Sequence, residues 1–185
     1  TGKESGLGGS FGLGKAVSLM HSRIFTVLFS SRIEGEKDLR IFGRSELPAH
    51  EMNGKSWLDG AYMGTEIKKD GIPVAESTWL KDRDAEKILL NRDNETECGT
   101  TILIPTFHEP DRDDTGSSGI RQPEELCRDF TEAASKWFWP AISWKRLDFK
   151  ARVFQEGRKS AIYTSEAQAD GIWSPFVECG KVEPF

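Results

Sequence analysis

The sequence predicts an α+β fold, a two-layer sandwich in which helices cover one face of a mixed, mainly antiparallel sheet. Three observations lead to this prediction. An apolar, β-branched run at 24–29 is followed by a polar turn and a second strand pattern, as in paired strands. A further strand, TTILIPTF, covers 100–107. In the segment 123–139, apolar residues recur at helical spacing, which predicts an amphipathic helix.

The first elements follow one another closely. Residues 1–14 contain six glycines and predict a loop. The next segment, 15–22, carries apolar residues and no helix breaker, so a helix is expected there. The run Ile24–Phe29 is apolar almost throughout, which predicts a strand buried on both faces. A polar turn at 34–37 then leads into a paired strand at 39–42.

The segment from 45 to 95 gives weaker signals. Glycines divide its first half into short pieces, with strands expected near 61–67. A short helix is expected at 84–91, with Asp82 or Asp84 as its N-cap. Three of its apolar residues are expected to face inward: Ile88, Leu89 and Leu90.

The last third begins with 109–121, which has the composition of an exposed loop. A helix is expected to start near Pro123, because proline suits the first turn of a helix, and to end at Pro140. The alternation of apolar and polar residues at 147–154 predicts a half-buried strand. The tail after residue 163 has no regular pattern.

Composition and charge restrict the class of protein. The 185 residues are 37% hydrophobic and 30% charged, an ordinary balance for a globular domain. The net charge of −5 argues against broad binding of nucleic acid or of anionic membranes. Three distant cysteines, Cys98, Cys127 and Cys179, suit free thiols in a reducing cytoplasm. No apolar run approaches the ~18 residues of a membrane span. The chain opens with Thr1 and no signal peptide, and we expect this start to be a cut inside a larger protein.

The glycine loop has two phosphate-binding interpretations. In a P-loop, Gly9, Gly14 and Lys15 fit the spacing, but Ala16 replaces the hydroxyl that binds magnesium, and no strand precedes the loop. In the other, the GxxGxG of Gly9, Gly12 and Gly14 opens a helix, whose backbone N–H groups can bind phosphate oxygens. Lys15 would add a positive charge. A flexible linker before an ordinary helix remains a third interpretation.

The order of motifs around this loop resembles the lid region of the GHKL ATPases, which include DNA gyrase, heat-shock chaperones, mismatch-repair enzymes and sensor histidine kinases. The loop is followed by an apolar helix and by Ser22–Arg32, a strand with Ser-Arg at each end, as in the mismatch-repair enzymes. The later segment Cys98–Ile104, CGTTILI, resembles the Gly-Thr motif that starts a strand under the adenine pocket. The resemblance covers about 5–107.

This resemblance implies a partial Bergerat-type fold that binds ATP with magnesium. The residues expected to bind the nucleotide are Gly9, Phe11, Gly12, Leu13, Gly14, Lys15 and Thr100. The glycines would shape the lid, the backbone of 11–15 would hold the β- and γ-phosphates, and Thr100 would contact adenine directly or through water. A phosphate contact by Lys15 is inferred from its charge and position alone.

Two family motifs are absent from the chain. The helix that carries the catalytic Glu and the magnesium-binding Asn, and the Asp-x-Gly-x-Gly that binds adenine, precede the lid in the family. We therefore assign no catalytic residue, expect the magnesium ligand upstream, and do not expect this chain alone to hydrolyse ATP. Lid closure in the family commonly drives dimerisation, which implies a homodimer of the parent protein.

The domain organisation follows from the resemblance. Residues 1–108 would be the C-terminal part of the ATP-binding domain, with the lid at 1–15. An exposed loop at 109–121 would connect it to a Trp-rich helix and strands at 122–185.

Two other features of the sequence have simpler explanations than a functional site. His108 and Glu109 precede three aspartates, Asp111, Asp113 and Asp114, which could bind a hard cation but are expected to be a solvated loop. The aromatic cluster Trp137–Trp144 is expected to be mainly core. If it is exposed, the alternative function is a non-enzymatic, β-rich interaction module in which the glycines are a linker.

Overall fold

The structure is a computed structural model that describes residues 13–91, 98–110, 121–158 and 160–169. The chain divides into two compact units, Thr1–Ser117 and Ser118–Phe185, and each is described by itself. Within the described ranges, no helix combines the length and the apolar composition that a membrane crossing requires.

The first unit is built mainly from short strands. Its elements in chain order are α1 (Leu13–Met20), β1 (Thr26–Arg32), β2 (Leu39–Ser45), β3 (His50–Met52), β4 (Lys55–Trp57), β5 (Ala61–Met63), β6 (Thr65–Lys69), β7 (Ile72–Glu76), β8 (Thr78–Leu80), α2 (Asp82–Glu86) and β9 (Gly99–Leu103). The predicted first helix, the strand pair around the 34–37 turn and the strands near 61–67 are therefore confirmed.

The central sheet has the strand order β5-β2-β1-β9, and β8 also pairs with β2. Strand β5 pairs with Gly43–Ser45 and β8 with Leu39–Ile41, so the two short strands share one edge of β2. All strand pairs in the described ranges are antiparallel. The predicted α+β class and the mainly antiparallel sheet are confirmed, and no parallel pair accompanies them in this part of the chain.

One face of the sheet carries the core of the first unit. Leu39 and Ile41 alternate on β2 and are completely buried together with Ala85 and Leu90. Residues two apart on a strand share a face, so this packing occupies one side of β2. On the same side, Ser30 Oγ donates a hydrogen bond of 2.6 Å to the Leu90 carbonyl. This bond holds the segment after α2 against the sheet.

The strand at 24–29 begins later than predicted and is not buried on both faces. Phe25 has a φ of 46°, a left-handed conformation that a strand does not continue through, so β1 starts at Thr26. Ile24 and Phe25 are exposed. The buried Ser22 fixes this corner, because its Oγ donates to the Pro105 carbonyl at 2.9 Å and accepts from the Thr26 N–H at 3.2 Å.

The strand predicted at 100–107 is shorter than expected at its C-terminal end. Strand β9 ends at Leu103, and Thr106 has a φ of 51°. The chain turns there, and Phe107 forms only an isolated bridge with Ser22.

The helix predicted at 84–91 differs in position and capping. Helix α2 covers Asp82–Glu86, its N-cap is Lys81, and no side chain caps it, so the prediction of Asp82 or Asp84 as the cap was wrong. Leu89 has a φ of 57°, which ends helical geometry before Leu90. Of the three apolar residues expected inside, only Leu90 is buried.

Two hairpins in the 45–80 segment use the same turn. Asn53 and Gly54 have φ values of 53° and 71°, and Asp70 and Gly71 have 52° and 80°. Two successive positive φ values define a type I′ turn, which Asn-Gly and Asp-Gly favour. These turns produce the hairpins β3–β4 and β6–β7, which the weak periodicity of the segment did not reveal.

The second unit contains α3 (Pro123–Ser143), β10 (Lys150–Val153) and β11 (Tyr163–Glu166). The two strands are antiparallel, and α3 contacts both. Pro123 lies in the first turn, as predicted, but the helix does not end at Pro140. Pro140 lies inside the helix after a kink at Phe138, because proline removes one helical hydrogen bond but need not end the helix.

The strands of the second unit also differ from expectation. The strand predicted at 147–154 is limited to β10, and β11 lies where the sequence shows no regular pattern. Thr131 on α3 shares a hydrogen bond of 2.8 Å with Ser165 on β11. This contact joins the helix to the strand pair.

The buried face of β2 gives a stability prediction. Ile41 is 0% exposed and Ile72, on the β6–β7 hairpin, is 65% exposed. We expect Ile41→Ala to lower the free energy of unfolding by about 2–5 kcal/mol, because it removes buried methyl groups and leaves a cavity. Ile72→Ala makes the same chemical change at the surface and should cost less than about 0.5 kcal/mol. Urea denaturation followed by far-UV circular dichroism measures both, and equal effects would contradict the assignment of the core.

Candidate functional site

A cleft of about 870 Å³ opens on the sheet face opposite the core. It lies entirely within the first unit. Its lining residues are Phe29, Ser31, Ile33, Arg40, Phe42, Lys69, Ala75, Glu76, Ser77, Trp79 and Thr100. The volume is in the range of about 300–1,000 Å³ that small-molecule sites occupy.

A row of four cleft residues crosses the sheet on this face. Ser31 on β1 is the register partner of Thr100 on β9 and of Arg40 on β2. Arg40 in turn is the partner of Trp79 on β8. Register partners in an antiparallel pair lie on the same face. The row Thr100–Ser31–Arg40–Trp79 therefore spans three strand spacings, or about 14 Å.

The first half of the row is a hydroxyl pair. Ser31 Oγ and Thr100 Oγ1 are 3.1 Å apart and share a hydrogen bond. Each hydroxyl can donate one hydrogen bond and accept others, so the pair can bind either a donor or an acceptor group of a ligand. Thr100 is exposed to the cleft, whereas Ser31 is half-buried.

A second row beside the first one is apolar. Phe29 is the register partner of both Ile102 and Phe42, and the Phe42 ring lies 5.8 Å from the ring of Tyr62. Phe29 and Phe42 are half-buried and form part of the cleft floor. The floor thus combines an aromatic strip with a strip of hydrogen-bonding groups, which suits a planar, polar ligand.

The β6–β7 hairpin forms a wall of the cleft. A Cβ atom on Gly64 would lie 2.1 Å from the Glu76 carbonyl oxygen, so glycine permits the close approach of the chain at the base of the hairpin. Above the sheet, Lys69 Nζ and Glu76 Oε1 form an ion pair of 3.2 Å with both side chains more than half exposed. Such a pair contributes little to stability, but it balances the two hairpin charges that border the cleft.

Of the seven residues expected to bind the nucleotide, the structure describes four, which lie in two places. Gly9, Phe11 and Gly12 lie outside the described residues. Leu13, Gly14 and Lys15 form the first residues of α1. Thr100 lines the cleft.

The two Ser-Arg pairs of the motif, Ser22-Arg23 and Ser31-Arg32, have different structural roles. Ser22 fixes the corner before β1, and Arg32 donates a hydrogen bond of 2.7 Å from Nη1 to the Lys37 carbonyl. Of these four residues, Ser31 lines the cleft.

Of the cleft-lining residues, the sequence predicted only Thr100, and Ser31, Arg40, Phe42 and Trp79 are among those that it missed. A signal was present in β2, because Leu39 and Ile41 alternate with Arg40 and Phe42. This alternation predicts that Leu39 and Ile41 lie on the core face of the strand and that Arg40 and Phe42 lie on the opposite face. Trp79 had no such signal, since β8 has only three residues and its pairing depends on the whole course of the chain between residues 45 and 80.

The other sequence candidates receive no site in the structure. Within the described ranges, no three His, Cys, Asp or Glu side chains cluster as metal ligands; Asp111, Asp113 and Asp114 lie outside these ranges. The ring of His21 donates from Nδ1 to the Val17 carbonyl at 2.9 Å and stacks on Phe107 with ring centroids 5.6 Å apart. These local contacts give His21 a structural role.

The aromatic cluster at the end of α3 is largely exposed. Trp137 is 70% exposed, and Phe138 and Trp144 are also exposed, so the expectation that this cluster is mainly core was wrong. Lys136 Nζ lies 5.3 Å from the Trp137 ring centroid, a cation–π contact at the surface. The buried residues of α3 are instead Cys127, Thr131 and Ala134.

Comparison of the chain with models of known protein families, with curated proteins and with solved structures gave no match.

The two described cysteines differ in exposure, which gives a reactivity prediction. Cys98 is exposed and Cys127 is buried. Burial, with the charge of Glu124, raises the pKa of the Cys127 thiol, so less of the reactive thiolate exists at neutral pH. In a Cys179→Ser background, iodoacetamide should modify Cys127 at least roughly tenfold more slowly than Cys98. Mass spectrometry of timed samples measures both rates, and equal rates in the folded protein would contradict the buried position of Cys127.

Proposed function

We propose that the first unit is the C-terminal part of a GHKL-type ATP-binding domain, with the base of ATP in the cleft and the glycine loop over its phosphates. One observation carries the proposal. Thr100, assigned from a sequence motif alone, lines an open cleft of suitable volume. The motif was identified from the order of residues and the cleft from the arrangement of the strands, so the two observations are separate.

The position of α1 supports a lid on this side of the sheet. By strand alternation, Val27 lies on the same face as Ser31, and it is only 2% exposed although it is not part of the core on the other face. Helix α1 contacts β1 and carries the buried Leu19. We infer that α1 covers Val27 on the cleft face, which would bring the N-terminal end of the helix to the side that the proposal requires.

The chemistry of the cleft fits a nucleobase better than it fits phosphates. The aromatic strip offers flat apolar contact, and the hydroxyls of Ser31 and Thr100 offer hydrogen bonds to a ring edge. The phosphates would be held by backbone N–H groups at the start of α1, where the helix dipole favours anions. In this arrangement, Lys15 adds charge next to the phosphates.

Among the described residues, no three His, Cys, Asp or Glu side chains cluster as metal ligands. The family's catalytic Glu lies on a helix that precedes the lid, so we derive no catalytic step for this chain and assign it no catalytic base. The proposed role is nucleotide binding, in which lid closure couples the nucleotide state to a conformational change or to homodimer formation in the longer protein. The magnesium ligand would come from residues that precede the lid.

The proposal predicts the effect of removing one hydroxyl. In the full-length protein, Thr100→Val should weaken Mg-ATP binding about tenfold, because a ring atom loses its hydrogen bond. Thr65→Val changes an exposed threonine on β6 that does not line the cleft, and it should leave the affinity unchanged. Calorimetric titration measures both, and a folded wild-type protein that binds no Mg-ATP would refute the proposed function.

The glycine loop is tested by a second variant. Changing Gly12 and Gly14 together to Ala should reduce Mg-ATP affinity by ~2 kcal/mol or more, or about thirtyfold, if the loop must approach the phosphates closely. Gly14 lies in the first turn of α1, where Ala favours the helix, so a loss of affinity would not reflect loss of helical structure. Unchanged affinity in this variant would restrict the nucleotide contacts to the cleft.

A different class of function is favoured by the exposed aromatic residues of the second unit. An indole that is 70% exposed at Trp137, beside the exposed Phe138, has the composition of a protein-binding surface. In this alternative the chain is a non-enzymatic interaction module. The titration with Mg-ATP distinguishes the two functions, because a non-enzymatic interaction module is not expected to bind the nucleotide.

A further inference from the structure

The motif resemblance assigns no role to the second half of the row Thr100–Ser31–Arg40–Trp79. Beyond Thr100 and Ser31, the row continues with Arg40 on β2 and Trp79 on β8. Both side chains line the cleft, and neither belongs to a segment that the resemblance relates to the nucleotide. Arg40 lies next to Ser31 and Trp79 ends the row, so a ligand that extends along the row from Thr100 would contact both.

Arg40 is oriented by a neutral group. Its Nε donates a hydrogen bond of 2.9 Å to Ser77 Oγ at the base of the hairpin wall. Within the described ranges, Arg40 has no carboxylate partner, whereas Arg44 on the same strand and face pairs with Glu46. The terminal N–H groups of the Arg40 guanidinium are therefore available to a ligand, and they can only donate hydrogen bonds.

Trp79 ends the row with a large planar surface. It is 45% exposed, although it stands directly beside Arg40 across the β2–β8 pair. An indole offers flat area for stacking against a planar ring, and base stacking on aromatic side chains is sequence-tolerant and strong. An arginine next to it adds donors that reach the edge of the stacked ring.

We propose that Arg40 and Trp79 bind the base of the nucleotide, with Trp79 stacking on the ring and the Arg40 guanidinium donating to an acceptor atom on the ring edge. This inference rests on the proposed function, because it takes the hydroxyl pair of Ser31 and Thr100 as the opposite border of the same base. The row of about 14 Å leaves room for a purine between the hydroxyls and the indole. The ligand class is a purine nucleotide whose ring presents acceptors to Arg40.

The length and polarity of the row favour the base over the phosphates for Arg40. Its neighbours in the row are a hydroxyl and an indole, and the apolar row of Phe29 and Phe42 runs beside it. The one carboxylate in the cleft lining, Glu76, is engaged with Lys69. A ring with polar edges matches these neighbours, and the strongly hydrated triphosphate does not.

The test uses matched variants in the full-length protein. Trp79→Ala is compared with Trp57→Ala, a tryptophan of similar exposure, 49%, on the β3–β4 hairpin outside the cleft. Arg40→Gln is compared with Arg44→Gln, which lies on the same strand but does not line the cleft. Titration with Mg-ATP and competition by adenosine separate contacts to the base from contacts to the phosphates. Thermal unfolding of each variant checks that it is folded.

We expect Trp79→Ala and Arg40→Gln each to weaken both ATP and adenosine binding about tenfold, while the two control variants change affinity less than about twofold. Trp79→Phe should keep most of the affinity, since it keeps a planar ring. The wild-type protein should also show a change in tryptophan emission on adenosine binding that Trp79→Phe abolishes.

Three results would overturn the inference, and they point to different failures. Normal ATP binding that neither cleft variant affects would remove Arg40 and Trp79 from the site and leave the proposed function intact. A loss for ATP but not for adenosine in Arg40→Gln would make Arg40 a phosphate ligand instead. A folded wild-type protein that binds neither ATP nor adenosine would refute the proposed function and this inference together.

Discussion

The register between β1 and β2 is the constraint on which the rest of the first unit depends. It places Ser30 opposite Ile41 and Ser31 opposite Arg40, so the strand pair separates into a core face and a cleft face. A shift of one residue would move Leu39 and Ile41 into solvent and Arg40 into the core. The burial of these two apolar residues thus also fixes which side chains border the cleft.

The sequence predicted the parts of the fold that depend on local patterns. The apolar run before the polar turn at 34–37 and the strand pattern that resumes after it identified β1 and β2, and the helical spacing after Pro123 identified α3. The errors arise where one backbone conformation overrides the pattern. Phe25, Leu89 and Thr106 adopt positive φ, and each ends or delays an element that composition alone would continue. No side-chain type signals this conformation in a residue other than glycine, asparagine or aspartate.

Of the candidate site, the sequence predicted only Thr100, which lies at one end of the row. Thr100 was found because the segment Cys98–Ile104 resembles a known motif, and Ser31 belongs to the other motif segment, Ser22–Arg32, without having been assigned a role. Arg40 and Trp79 are separated in sequence by almost the whole irregular segment, and only the shared edge of β2 brings β8 beside Arg40. Pairings of short strands that are distant in the chain carry little local information, which is why half of the row could not be predicted.

The cleft and the start of α1 would contribute different chemical groups, so the two halves of the proposal can be tested separately. The donors and aromatic faces of the sheet lie over a half-apolar floor, which suits a base or another planar group. The phosphates need the backbone N–H groups at the start of α1, which side-chain changes on the sheet do not touch. A ligand that bridges both regions must join a planar ring to an anion, and a purine nucleotide meets that requirement. If only the sheet half binds, the site is one for a planar ligand without a phosphate, and the resemblance of the loop then has no chemical consequence in this protein.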